Sequence, residues 1–185
     1  MTDTSDLSGI DRTSLFPPDL VAQARRVLEA ARAAGLHVAT AESCTGGLVS
    51  GVLTEIPGSS DVVAGGFVTY SNTAKEISVG VPRDLLDLHG AVSEPVALAM
   101  AEGVLQRLPE ADVAVAITGV AGPGGGSAAK PVGLVHFAVA RRGLPARHVA
   151  HRFADEGRAA IRLRSVVAAL DLLEQAIATQ PTLQA

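Results

Sequence analysis

Apolar residues along the chain alternate between helical spacing and short unbroken runs. Val21, Ala24, Val27, Leu28 and Ala31 recur every three to four residues, and Gly35 supplies a stop, which predicts a helix. His37 to Glu42 has the length of a buried strand. Ser43-Cys44-Thr45-Gly46-Gly47 turns the chain into a helix predicted over 47–55 and ended by Pro57-Gly58. Asp61 to Tyr70 predicts a second strand, and Gly65-Gly66 inside it marks a bulge or a close backbone approach. Thr73-Ala74-Lys75-Glu76 matches a capping box, so a helix is expected from there to about Val79. A short helix over 83–88 follows, then one over 94–107 with Ser93 as its cap and Pro95 in its first turn.

Asp112 to Thr118 is a near-continuous Val/Ala/Ile run, the pattern of a strand covered on both faces. A glycine-rich loop, Gly119 to Pro131, leads to an expected hairpin of Val132–Ala140 and Arg147–Phe153. A last helix over 156–178 carries Ile161, Val166, Leu170, Leu173 and Ile177 on one stripe. Helices alternating with buried strands imply one three-layer α/β/α domain over 19–180. The polar residues 1–18, closing on Pro17-Pro18, are expected to form a flexible arm.

Composition narrows the function classes. Of 185 residues, 48% are hydrophobic but only 3% aromatic, so few rings are present to stack nucleic-acid bases. The formal net charge is −4, and Arg clusters near 141–147 and 158–164 are too short to form a broad basic face, so nucleic acid is not an expected partner. Cys44 is the sole cysteine, which rules out an intrachain disulfide. Asp3, Asp6 and Asp11 stand where a signal peptide needs positive charge, and no run approaches the roughly 18 apolar residues of a membrane span. A cytoplasmic protein that does not enter membranes is expected. His37, His89, His136, His148 and His151 show no ligand spacing with Cys44, so no metal site is expected.

Four segments carry candidate chemistry. Glu42 to Gly47 lies at a strand-to-helix junction, where free N–H groups and the helix dipole suit an anion; Ser43, Thr45 and Gly46 are its candidate binding residues. Gly58-Ser59-Ser60-Asp61 precedes the second strand, and Tyr70 to Lys75 leaves it. Serine needs a base to attack at neutral pH, and a lysine serves only if burial lowers its pKa toward neutrality. Spacing alone does not show that Ser60 and Lys75 meet. The loop at Thr118, Gly119 and Gly122 follows a buried strand, where open α/β sheets place ligands, yet it matches neither a P-loop nor a dinucleotide fingerprint. Cys44 at a helix start is a rival nucleophile.

Together, Ala41-Glu42-Ser43-Cys44-Thr45-Gly46-Gly47, Pro57-Gly58-Ser59-Ser60, Val68-Thr69-Tyr70-Ser71-Asn72 with Lys75, and Gly90-Ala91-Val92-Ser93-Glu94-Pro95 form an ordered series. It continues through Thr118-Gly119-Val120-Ala121-Gly122-Pro123, Lys130-Pro131-Val132-Gly133, and Gly157-Arg158 with Ile161-Arg162. The series resembles the C-terminal domain of the CinA competence/damage-inducible family, over about residues 20–178. The resemblance implies an anticodon-binding-domain-like α/β/α fold with a mixed, mostly parallel sheet. It also implies a nicotinamide-nucleotide amidohydrolase of pyridine nucleotide recycling. Such an enzyme converts nicotinamide mononucleotide to nicotinic acid mononucleotide and ammonia, without metal or cofactor, as a homodimer or larger homo-oligomer.

Carried over by motif, Ser60 resembles the nucleophile, Lys75 its base and Tyr70 the third member, with Ser43, Thr118 and Arg158 around them. The substrate phosphate is expected at the Ser43–Gly47 helix start or the Gly119–Gly126 loop, with Arg158 as its charged partner. A non-catalytic nucleotide-binding or regulatory domain, and a partner-binding protein linked to DNA uptake or repair, are the competing readings.

Overall fold

The computed structural model of the chain describes residues 14–180. Helix α1 (Pro18–Ala34) ends at Gly35, whose φ of +64° is the left-handed conformation the stop requires. Strand β1 (Val38–Glu42) leads into α2 (Leu48–Thr54), a single 3₁₀ turn (Ser59–Asp61) and β2 (Val63–Val68). Three helices follow, α3 (Asn72–Val79), α4 (Arg83–His89) and α5 (Glu94–Arg107). Strands β3 (Val113–Gly119), β4 (Leu134–Arg141) and β5 (Leu144–Arg152) and helix α6 (Arg158–Ala178) complete the chain.

The five strands form one mixed sheet in the order β2-β1-β3-β4-β5. β2, β1 and β3 are parallel neighbours, β4 runs against β3, and β5 runs against β4, so four strands share one sense.

Side-chain size divides the two faces. Val38, Val113, Val115, Ile117, Val135, Phe137 and Val139 point to one side and pack with α1, α2 and α6. Ala39, Ala41, Ala114, Ala116, Ala138 and Ala140 point to the other and receive α5, with α3 and α4 beyond it. Alternation along a strand separates the two sets, and the alanine face lets α5 lie close to the sheet. Gly103 continues this close approach outward: a Cβ there would fall 1.8 Å from the Val79 carbonyl oxygen at the end of α3. The position of α3 therefore depends on α5.

Several boundaries differ from those the pattern predicts. The cap of α3 is Ser71, whose Oγ accepts from the Ala74 N–H at 3.0 Å, so the helix starts earlier than the Thr73 capping box implied. Ser93 sits at the N-terminal boundary of α5, but its hydroxyl donates to the Gly90 carbonyl. The β4–β5 hairpin is longer than expected and turns at Arg142-Gly143, with Gly143 at φ +79°. The missed start of β5, Leu144-Pro145-Ala146, was disguised by Pro145, a residue that argues against a strand and is tolerated at a sheet edge. Of the arm expected over 1–18, residues 1–13 lie outside the described residues, while Phe16 packs against the core beside Gly51. Among the described residues no helix is long and apolar enough to cross a membrane.

Candidate active site

The parallel strands carry their following loops to one end of the sheet. Ser43 immediately follows β1 there, and its N–H donates to the Ile117 carbonyl of β3 at 2.9 Å. Thr69 follows β2 and ties it to β1, its N–H donating to the Glu42 carbonyl at 2.7 Å. Lys75 lies in the first turn of α3, directed back toward the sheet. Its Nζ lies 3.0 Å from Ser43 Oγ and donates to the Thr69 carbonyl at 2.7 Å.

Lys75 is only 1% exposed, the largest wholly buried side chain described. Burial, which penalises the ammonium, pushes its pKa down from 10.5 to about 8. Among the described residues no carboxylate lies in hydrogen-bonding contact to restore it. A substantial fraction of neutral amine therefore exists near physiological pH. The same burial pushes the Cys44 thiol up to about 11, the opposite of what a cysteine nucleophile requires.

The meeting of Ser60 and Lys75 that the motifs suggested is not made. Ser60 stands in the 3₁₀ turn before β2, exposed, while Lys75 lies beyond that strand's other end. Six residues of strand separate these two ends, roughly 20 Å at about 3.3 Å per residue. The serine at the amine is Ser43.

Glu42 explains the turn after Ser43. Its side chain is fully buried, and its carboxylate accepts from the N–H groups of Gly47, Val49 and Ser50 at 2.8–3.1 Å and from Thr40 Oγ1 at 3.3 Å. The helix start that seemed suited to a bound phosphate is thus filled by the chain's own carboxylate. Arg162 holds the same turn from α6, donating to the Cys44 and Thr45 carbonyls at 3.1 and 2.9 Å. Sequence reasoning gave no role to Glu42, Thr69 or Arg162. A carboxylate closing an apolar strand was the available signal for Glu42; a carbonyl such as that of Thr69 leaves none.

The remaining candidates fall in two groups. Thr118 lies beside Ser43 on β3, its hydroxyl donating to the Ala91 carbonyl at 2.8 Å. Thr45 is fully buried, and its Oγ1 has no hydrogen-bond partner among the described residues. Tyr70 is 61% exposed, and its hydroxyl accepts from Arg158 Nη2 at 3.2 Å rather than engaging Lys75. Arg158 also donates to the Gly122 carbonyl at 2.9 Å. Strand packing demands a glycine at 119, where a Cβ would fall 2.7 Å from Val135; Gly122 lies in the loop at φ +74°, where a Cβ would fall 2.7 Å from Val132. Gly46 adopts φ +61° within the turn held by Glu42 and Arg162. Among the described residues no group of three His, Cys, Asp or Glu side chains is placed to hold a metal ion.

A family model described as the CinA C-terminal domain matches residues 21–177. A putative competence-damage inducible protein of Symbiobacterium thermophilum is 53% identical over 148 residues, covering 76% of this chain and 34% of that protein. A CinA-like protein of Mycolicibacterium vanbaalenii is 55% identical over 144 residues, covering 78% of this chain and 34% of its own length. The chain thus spans about a third of the length of these curated relatives. Among solved structures, the competence/damage inducible protein CihA of Agrobacterium tumefaciens matches with a TM-score of 0.86 at 53% identity, covering 90% of this chain and 99% of that one. A CinA superfamily protein of Klebsiella pneumoniae matches with a TM-score of 0.81 at 35% identity, covering 86% and 98% respectively.

Proposed function

Since the chain belongs to the CinA C-terminal domain family, we propose that it is an amidohydrolase of nicotinamide mononucleotide with Ser43 as nucleophile and Lys75 as base. The observation that carries this reading is the 3.0 Å contact between Ser43 Oγ and a buried amine whose pKa is lowered to about 8. A buried lysine joined to a serine hydroxyl serves acyl transfer better than it serves stability, because dehydrating an ammonium is costly. The role that family motifs assigned to Ser60 passes to Ser43 on geometry.

In its neutral form Lys75 donates one N–H to the Thr69 carbonyl and turns its lone pair to Ser43 Oγ–H. As Oγ attacks the carboxamide carbon, the proton moves to Nζ. The resulting oxyanion is stabilised by the main-chain N–H groups of Cys44 and Thr45, the part of the turn that Glu42 does not engage; losing one such donor in known acyl-transfer enzymes costs about 3 kcal/mol. The carbon–nitrogen bond then breaks, Nζ returns its proton to the leaving nitrogen, and ammonia departs. Water, deprotonated by the same amine, cleaves the acyl-serine and yields the pyridine carboxylate. The positive charge of the substrate ring makes its amide carbon more electrophilic, which favours attack by a hydroxyl. Tyr70 and Arg158, joined to each other at the rim, orient the substrate rather than move the proton.

The test is ammonia release from a panel of nicotinamide derivatives, with Ser43→Ala and Lys75→Ala as controls. The expected result is turnover of the mononucleotide by the wild-type protein and none by either variant. Saturable binding without ammonia release would replace the enzyme reading with the regulatory-domain one. Full turnover by Ser43→Ala would remove the nucleophile.

A further inference from the structure

We propose that the open cleft between the start of α5 and the β4–β5 hairpin, two strands across the sheet from the Ser43–Lys75 pair, is the subsite for the substrate's phosphomonoester, held by Lys130 and Arg152. This rests on the amidase reading and puts the phosphate away from both the Ser43–Gly47 helix start and the Gly119–Gly126 loop.

The cleft measures about 520 Å³ and is lined by Ser93, Glu94, Lys130, His136 and Arg152 among others. It lies on the same face of the sheet as Ser43. The β1–β3 register, continued one step past Glu42 and Ile117, places Ser43 opposite Thr118, and Thr118 pairs with His136 on β4. Lys75, the Ala91 carbonyl and the Glu94–His148 pair all meet this row from the α5 side. Two strand spacings, about 10 Å, separate Ser43 from His136. A ribose places a ring carboxamide and a 5′-phosphate a comparable distance apart, and Arg152, one strand further out on β5, lines the same cleft.

Two cations serve the cleft. Lys130 is half-buried, with Nζ held by the His89 carbonyl at 2.6 Å, so its ammonium is positioned by the fold. Arg152, on edge strand β5, is exposed with its guanidinium available to a ligand. Glu94, the carboxylate in the wall, is met by His148 Nδ1 at 3.4 Å, and His148 Nε2 contacts His136 Nδ1 at 2.9 Å. The acidic charge is thereby directed to the histidine pair.

Of the two anchors expected from the motifs, the helix start is occupied, and Arg158, the charged partner expected with either, already has neighbours. Glu42 fills the start of α2, and Arg158 is engaged by the Gly122 carbonyl and the Tyr70 hydroxyl. Lys130 keeps N–H donors beyond its bond to the His89 carbonyl, and with Arg152 it places two cations on one cleft, where an oxyanion finds charge-assisted donors.

Lys130→Gln and Arg152→Gln should each raise KM for nicotinamide mononucleotide about tenfold, equivalent to about 1.4 kcal/mol, with kcat held within about twofold. Lys130→Arg should restore most of the loss. The kcat/KM preference for the mononucleotide over the phosphate-free riboside should fall by the same factor. An unchanged preference in both glutamine variants overturns the subsite, whatever happens to total activity. If the wild-type protein releases no ammonia from either compound, the amidase reading falls alone. Calorimetric titration with inorganic phosphate then decides the subsite: binding weakened about tenfold by either variant supports it, and absent or unaffected binding overturns it.

Discussion

Lys75 and Ser43 are thirty-two residues apart in sequence, yet the amine of one meets the hydroxyl of the other at 3.0 Å inside the protein. Parallel pairing of β1 and β2 makes this possible. Ser43 and Thr69 leave neighbouring strands side by side, and α3 starts shortly afterwards with Lys75 in its first turn. The Thr69 carbonyl fixes Nζ from one side, and the serine hydroxyl is its neighbour on the other. The contact thus follows from the order of strands and holds a pair suited to base-assisted nucleophilic attack.

Ser43 and Ser60 can be separated by paired alanine substitutions. Ser43→Ala removes the one side-chain oxygen hydrogen-bonded to the Lys75 amine among the described residues, and it should lower kcat at least a thousandfold, as loss of a nucleophile does elsewhere. Ser60→Ala removes an exposed hydroxyl beyond the opposite end of β2 and should leave kcat within about twofold. Steady-state ammonia release checks both. The reverse pattern would restore Ser60 and defeat the geometric argument.

The rate should rise with pH through about 8, the value to which burial lowers Lys75. The active form is the neutral amine, so kcat/KM is proportional to its fraction, about one part in ten at pH 7. A tenfold rise per pH unit below about 7, levelling above 8, is the expected profile. Lys75→Arg keeps the positive charge but does not deprotonate in this range, and should be inactive at every pH. A profile flat from pH 6 to 9 in the wild-type protein would mean that a different group takes the proton.

Burying this lysine should cost stability, with a definite sign. The folded-state pKa of about 8 lies below the ordinary 10.5, so between these values the unfolded chain binds the additional proton and stability increases with pH. Below pH 8 the whole penalty is present, roughly 3 kcal/mol at about 1.4 kcal/mol per pH unit. Lys75→Met escapes it but leaves the buried Thr69 carbonyl without a donor, at about 1 kcal/mol. The variant should therefore be about 1–2 kcal/mol more stable at pH 7, a few degrees in Tm, and lose that advantage by pH 10. Urea unfolding at the two pH values measures the difference. A destabilised variant at pH 7 would show that dehydration of the amine had been overstated.

Elements with a strong apolar signature were legible in the chain, and so were the residues concentrated in glycine- and serine-rich turns. β1, β3 and α6 fall within a residue or two of their predicted bounds because burial on both faces, or a long helical stripe, leaves few alternatives. β5 was truncated because Pro145 stands near its start, where only an edge strand accepts a residue without an N–H. The site was legible only in its parts. Ser43 and Lys75 both stood out locally, yet which serine meets the amine depends on strand order, and no spacing along one chain encodes that. Glu42 was overlooked for a related reason: its partners are backbone N–H groups, which carry no side-chain signature.

Glu42 gives the sharpest structural prediction. Its carboxylate satisfies three N–H groups at the start of α2, two of them in the first turn of a helix too short to be stable on its own. Glu42→Ala leaves those donors unpartnered in a site with no exposed surface at that side chain. At about 1–3 kcal/mol for an unsatisfied buried donor, partly relieved by water entering the space, the expected destabilisation is about 3 kcal/mol. Glu42→Gln keeps one acceptor oxygen and should cost less. Because the turn after Ser43 is built on this carboxylate, both variants should also lose kcat in the same order as they lose stability. Chemical unfolding and ammonia release measured on the same preparations decide the matter. A Glu42→Ala protein with unchanged unfolding midpoint and unchanged kcat would mean that Arg162 alone holds the turn in place.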